Sequence, residues 1–201
     1  MCEHSLVIEL LLLDLDGVVR HFDKSIADNL EIEHGLEIGS LRREAFEHPR
    51  GHAAITGGLT RAEWAAEVGE AVGSLEAAQT WLNTWGFADP AMVALIGDLR
   101  AADLPVAILT NGTDTIHDEL ATCGLDGVFD HVYCTWHLGI AKPEPEVYRL
   151  VAADIGTDPE RVLFFDDRLA NVEGARAADM RAELFESADQ VQEVVNTLRK
   201  T

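Results

Sequence analysis

Apolar runs a few residues long, each closed by polar turn residues, are the feature that most restricts how this chain can fold. Residues 7–13 (VIELLLL) run into Asp14-Leu15-Asp16-Gly17, residues 105–109 (PVAIL) into Thr110-Asn111-Gly112, and residues 161–165 (RVLFF) into Asp166-Asp167. Residues 131–134 (HVYC) form a shorter run and residues 181–185 (RAELF) the weakest. Runs this short and continuous suit strands buried on both faces. Between the later runs, apolar residues recur at helix spacing: Met92, Leu95, Ile96 and Leu99 in residues 90–102, and Val147, Leu150, Val151 and Ile155 in residues 145–155. Further helical patterns cover residues 113–123, 171–178 and 189–200. Strands alternating with such helices predict an α/β fold, a Rossmann-like, doubly wound parallel sheet with right-handed crossovers.

Residues 20–88 break the pattern and contain no convincing strand. Amphipathic stretches at residues 25–34, 61–72 and 75–85 read as helices, and Trp64, Trp81 and Trp85 fall among them. So long a helical segment between the first and second strands exceeds one crossover. The expected organisation is a core of residues 1–19 and 89–201 with a helical subdomain, residues 20–88, inserted after the first strand.

At 201 residues the chain can bury roughly 70% of its unfolded surface and needs no disulfide or metal to fold. The scattered Cys2, Cys123 and Cys134 give neither a disulfide framework nor a zinc motif. Free thiols and no leader-like segment suggest a cytoplasmic location. The net charge of −21 excludes nucleic acid and anionic membrane as expected partners, since both require clustered Lys and Arg. A monomer or homodimer is expected.

In an open parallel sheet, ligands bind beyond the carboxyl ends of the strands. That rule collects Asp14, Asp16, Thr110, Asn111, Asp166 and Asp167 at one rim, with Lys142 after the residue 131–134 run. Each has an ordinary explanation alone: Asp caps helices, Thr-Asn-Gly turns, and a lone Lys is solvated. Together they describe chemistry. Clustered carboxylates need a cation, and hard oxygen ligands suit Mg²⁺. A carboxylate beside such a cation can attack a phosphoryl group. A second carboxyl two residues on can serve as general acid and base. Hydroxyl, amide and ammonium groups can hold the phosphoryl oxygens.

In these residues the chain resembles the haloacid dehalogenase-like superfamily, most of whose members are Mg²⁺-dependent phosphatases. LLLDLDGVV (residues 11–19), AILTNGT (107–113), GIAKPEPEVY (139–148) and VLFFDDRLANVEGA (162–175) match its four motifs in order. The resemblance implies that Asp14 is the nucleophile and a metal ligand, and that Asp16 is the general acid/base with its carbonyl on the metal. It implies that Thr110 and Asn111 contact phosphate and that Lys142 steadies Asp14 and the transferring group. Asp167 is then the principal fourth-motif ligand and Asp166 a second one. Asn171 stands where many relatives have Asp. Asp16 favours phosphoryl transfer over the dehalogenating branch, which typically lacks it. The nearest resemblance is to small sugar-phosphate phosphatases and to the phosphatase domain fused to some epoxide hydrolases.

The same resemblance makes residues 20–88 a cap. Leu15, Asp16, Thr110, Asn111, Gly112 and Lys142, with Arg50 and His52 from a Gly-rich loop at residues 48–58, are the expected substrate contacts. His21, Arg42, Arg43, Trp85 and His137 are further candidates. The ordinary reading is that Arg42 and Arg43 face solvent and that Trp64, Trp81, Trp85 and Trp136 pack. The implied activity is hydrolysis of a small phosphorylated metabolite, such as a sugar phosphate, through an aspartyl-phosphate. A phosphomutase, a metal-free dehalogenase and a non-catalytic binding protein stand as alternatives.

Overall fold

A computed structural model describes residues 7–199; Cys2 and Lys200 lie outside the described residues. In chain order the strands are β1 (Leu10–Leu13), β2 (Arg20–His21), β3 (Phe87–Ala88), β4 (Val106–Thr110), β5 (His131–Cys134), β6 (Val162–Asp166) and β7 (Arg181–Leu184). The α-helices are α1 (Ser25–Glu33), α2 (Ser40–Arg42), α3 (Pro49–Ile55), α4 (Arg61–Val72), α5 (Leu75–Leu82), α6 (Pro90–Ala101), α7 (Ile116–Thr122), α8 (Thr135–Leu138), α9 (Pro145–Ile155), α10 (Leu169–Arg176) and α11 (Ala188–Arg199).

The main sheet is parallel, in the order β5-β4-β1-β6-β7. Alternation along β1 divides the core between two layers. Leu11 and Leu13 face Met92 and Ile96 of α6, Ile116 and Leu120 of α7, and Val191 and Val195 of α11. Leu10 and Leu12 face Val147 and Val151 of α9 and Val172 and Ala175 of α10. The four leucines of β1 are at most 1% exposed, and each stabilises the fold by about 1.5–3 kcal/mol. This is the expected Rossmann-like arrangement. Because β1 lies in the middle, the chain winds outward to β5, then returns past it to β6, and the carboxyl end of β1 sits at the switch in strand order.

Helices α1–α5 pack on their own apolar cluster, which includes Leu41, Trp64, Val68 and Leu82. The α4 start is set by a capping box between Thr60 and Glu63 and its end by Gly73 in the left-handed region at φ 84°. Two differences from the sequence reading stand out. First, β2 and β3 pair antiparallel, joining the two ends of the helical segment where no strand was expected. Two residues each are too few to leave a periodic signal. Second, residues 48–58 are mostly helix rather than a Gly-rich loop: α3 begins with Pro49 in its first turn, a position where Pro fits because no N–H is needed. Gly51 is there for space, since a Cβ would lie 2.3 Å from the Ala45 carbonyl oxygen.

Candidate active site

The polar rim expected from the sequence is assembled at the carboxyl ends of β1, β4 and β6. Asp14 follows β1 and is buried. One of its oxygens, Oδ1, accepts from the Leu15 backbone N–H at 2.7 Å and lies 2.7 Å from Lys142 Nζ. Lys142 is itself buried and donates equally closely to Asp166 Oδ2, at 2.7 Å. One ammonium therefore bridges the first and fourth motifs.

The electrostatics follow from this packing. Burial pushes the Asp14 carboxyl up to about 7; Lys142 opposes the rise, and the Asp166 and Asp16 charges add to it. Burial works against the Lys142 ammonium, but Asp14 and Asp166 win and hold its pKa above the ordinary lysine value. Asp167 is raised as well, by burial and then by neighbouring Asp166. A carboxylate oxygen from each of Asp14, Asp166 and Asp167 lies within 4.8 Å of the others. Three hard oxygen donors converging at this spacing, with two carboxyls raised by burial and then by neighbouring acids, fit a divalent cation. Gly17 makes the approach possible: at φ 95° it accepts a conformation that side chains resist, and a Cβ there would stand 2.3 Å from Asp167 Oδ2.

The neighbours of Asp166 are fixed. Its oxygens accept from Asn171 Nδ2 at 2.9 Å, from the Arg168 N–H at 2.9 Å and from Lys142. Asn171 therefore uses its amide on Asp166. Asn111 likewise spends its side chain on the Lys142 backbone, donating to the carbonyl at 3.0 Å and accepting from the N–H at 2.9 Å. Thr110 is buried at the end of β4 and, with Asn111 and Gly112, lines the same cavity.

Asp16 differs from the other acids in its partner. Arg20 binds it at both oxygens, 2.6 Å from Nε to Oδ1 and 3.1 Å from Nη2 to Oδ2. Arg20 is 2% exposed and also donates to Glu119 on α7 at 2.7 Å. Glu119 in turn accepts from Arg61, the first residue of α4, at 2.9 Å. Burial raises the Glu119 carboxyl, but Arg61 and Arg20 outweigh it and hold it below the usual glutamate value. This Asp16–Arg20–Glu119–Arg61 chain was not foreseen from the sequence.

A cavity of about 670 Å³ opens over this rim. Its floor holds Asp14, Asp16, Thr110, Lys142 and Asp167, and His52 reaches it from α3. Other expected contacts fall elsewhere. Arg50 turns away from the cavity: its Nη1 donates to the Glu67 carbonyl at 2.7 Å and its Nε to His48 at 3.1 Å. Leu15 is fully buried, and its N–H is taken by Asp14. His21 pairs with Asp89 at 3.1 Å outside this cavity, and His137 is also outside it. Arg43 faces Glu37, as a solvent residue would. Arg42, by contrast, lines the cavity, tied to Asp28 at 2.9 Å. Trp85 lies under the Arg61 guanidinium, 4.6 Å from its ring centre. Trp136 packs as expected and donates to the Leu59 carbonyl at 2.9 Å.

Comparison with known proteins gives the chain a family. Residues 8–179 match the haloacid dehalogenase-like hydrolase family. The chain belongs to that family. Among curated members, a phosphatase from Mycobacterium tuberculosis is 35% identical over 100 residues, 49% of this chain and 46% of that protein. The D-ribitol-5-phosphate phosphatase of Bacteroides thetaiotaomicron is 26% identical over 179 residues, 83% of this chain and 86% of that one. The chain spans less than half the length of the first curated relatives it matches. Among solved structures, a haloacid dehalogenase family enzyme from Bacteroides thetaiotaomicron superposes with a TM-score of 0.80 at 21% identity, covering 94% of this chain and 98% of that one. The same enzyme complexed with magnesium and inorganic phosphate gives 0.75 at 24% identity, covering 89% and 94%. An L-2-haloacid dehalogenase superposes at 0.74 with 18% identity, covering 94% and 99%. Among the described residues, no helix is long and apolar enough to cross a membrane.

Proposed function

We propose that this chain is a Mg²⁺-dependent phosphatase acting on the phosphate monoester of a small metabolite through an aspartyl-phosphate on Asp14. The observation that carries the reading is the joint placement of Asp14, Lys142, Asp166 and Asp167, with Asp16 two residues beyond the nucleophile. Asp14 and Asp167, with Asp166 beside them, would hold the cation, which supplies positive charge between the carboxylates and the phosphoryl oxygens. The backbone carbonyl of Asp16 is a further oxygen donor on the family pattern. Asp166, filled by Lys142, Asn171 and the Arg168 N–H, acts chiefly by keeping Lys142 aimed at Asp14.

In the reaction, an Asp14 oxygen attacks phosphorus and the ester oxygen leaves. Lys142 and Thr110 hold the phosphoryl oxygens as charge shifts onto them. Asp16 gives a proton to the leaving oxygen, then takes one from the water that hydrolyses the acyl phosphate. In the structure both its oxygens face Arg20, so Asp16 turns from Arg20 to reach the leaving group. Residues 20–88 act as the cap: they cover the site, exclude bulk water and contact the leaving group. The ligand is a small molecule, not nucleic acid or membrane.

The similarity to dehalogenases gives a second reading a concrete form, metal-free attack on carbon. Asp16 and the paired acids after β6 argue against it, because attack on carbon needs neither. Phosphate release from an aryl phosphate is expected in Mg²⁺ and is expected to vanish in EDTA. Halide release from a 2-haloacid that survives EDTA would replace the phosphatase reading with the dehalogenase one. An isomeric phosphate ester in place of free phosphate would identify a mutase.

A further inference from the structure

The roof of the site is built differently from its floor. Lining the same cavity as the carboxylates and Lys142, and supplied by the helical segment, are Phe22, Ile26, Phe46, Ile55, Trp64 and Trp81. Phe46 is the most informative of these. It lies in a π-helical turn at Arg43–Glu47, a distortion that recurs at functional sites. Its ring meets Trp64 edge-on at 5.7 Å and Trp81 at 5.9 Å, yet Phe46 remains 62% exposed. Phe22, on the strand side of the cavity, is 38% exposed. Large aromatic side chains left open are unfavourable in water unless a ligand covers them.

Arg42 and Arg61, two of the cations that line this cavity, are already matched. Arg42 is bound to Asp28 and the Lys24 carbonyl. Arg61 is bound to Glu119 and the Leu82 carbonyl. Asp23, Lys24, His52 and Thr84 also line the cavity, but a polyol would leave the hydroxyls set against the aromatic rings themselves unpaired. An alkyl, isoprenoid or aryl group would not.

We propose that the leaving group is a large apolar alcohol, so that the substrate is an apolar phosphate monoester with its phosphate on Asp14 and its hydrocarbon under Phe46, Trp64 and Trp81. This rests on the phosphatase reading and narrows it away from sugar phosphates. The cavity, at about 670 Å³, has the size of sites that enclose whole small ligands.

The test is a series of n-alkyl phosphates from ethyl to hexyl, with glycerol phosphate and a hexitol phosphate alongside, assayed in Mg²⁺ for phosphate release. We expect kcat/KM to rise about fourfold per methylene and hexyl phosphate to exceed the hexitol ester by at least about tenfold. In F46S the series should flatten to about twofold or less per methylene. Phosphate release that is flat along the alkyl series, or better with the polyol esters, overturns the apolar leaving group and leaves the phosphatase reading standing. A series as steep in F46S as in the wild type places the chain elsewhere and also overturns it. Release from no ester overturns the phosphatase reading and this inference with it. Binding to D14N, followed by tryptophan fluorescence, adds a readout without turnover: hexyl phosphate should bind more tightly than glycerol phosphate, and the reverse order counts against the proposal.

Discussion

At the scale of single residues, Lys142 carries the largest burden, because one buried ammonium serves two buried carboxylates. K142M would leave Asp14 and Asp166 facing each other with no cation. We expect a loss of about 3–5 kcal/mol in urea unfolding of the metal-free protein, together with loss of phosphate release. Stability equal to the wild type would mean that the ion pair does not organise the site. Gly17 makes a separate prediction. In G17A the new methyl group collides with Asp167, so Mg²⁺ affinity, measured by calorimetry, should fall by about tenfold or more, with the sheet intact by circular dichroism. The residues named by the four motifs were legible in the sequence because chemistry restricts residue type at each position. Arg20 was not. Its value comes from Glu119, 99 residues away, and no local pattern encodes that meeting. Arg50 was misplaced for the converse reason: its fork is satisfied by His48 and the Glu67 carbonyl, and composition does not reveal which way an Arg turns.

Among the elements, strands and long helices followed from periodicity, and α4 and α9 keep the bounds that the sequence suggests. The two-residue pair β2–β3 and the short α2, α3 and α8 did not follow, since a single turn has too few positions to show a period. The helical segment is joined to the sheet domain by Glu119 of α7, which accepts from Arg20 at the start of β2 and from Arg61 at the start of α4. The Glu119 carboxyl lies below its usual value of 4.5 in the folded protein. Its stabilisation is therefore present above the unfolded value and is lost as pH falls through the folded one. Urea midpoints at pH 7 and at about pH 4 should show a marked acid loss in the wild type. E119Q should start lower at pH 7 and lose less over the same interval. An identical pH dependence in the two proteins would remove Glu119 from the account.

For the whole molecule, a net charge of −21 opposes an anionic ligand at long range. The sheet resolves the conflict by position. The carboxyl ends of β1 and β6 bring Asp14, Asp166 and Asp167 together around one buried Lys, so the local sign would be set by Lys142 and by the cation that the acids hold when it is bound. The rest of the acidity is a surface property that serves solubility. What the four motifs could not convey is the apolar roof over that charged floor, which arises only when the cavity is formed. The central claim, that Asp14 is the nucleophile of a phosphatase, meets its most direct test in D14N. Phosphate release from an aryl phosphate in Mg²⁺ should fall by at least about a thousandfold while circular dichroism shows the fold retained. Full activity in that variant would contradict the account.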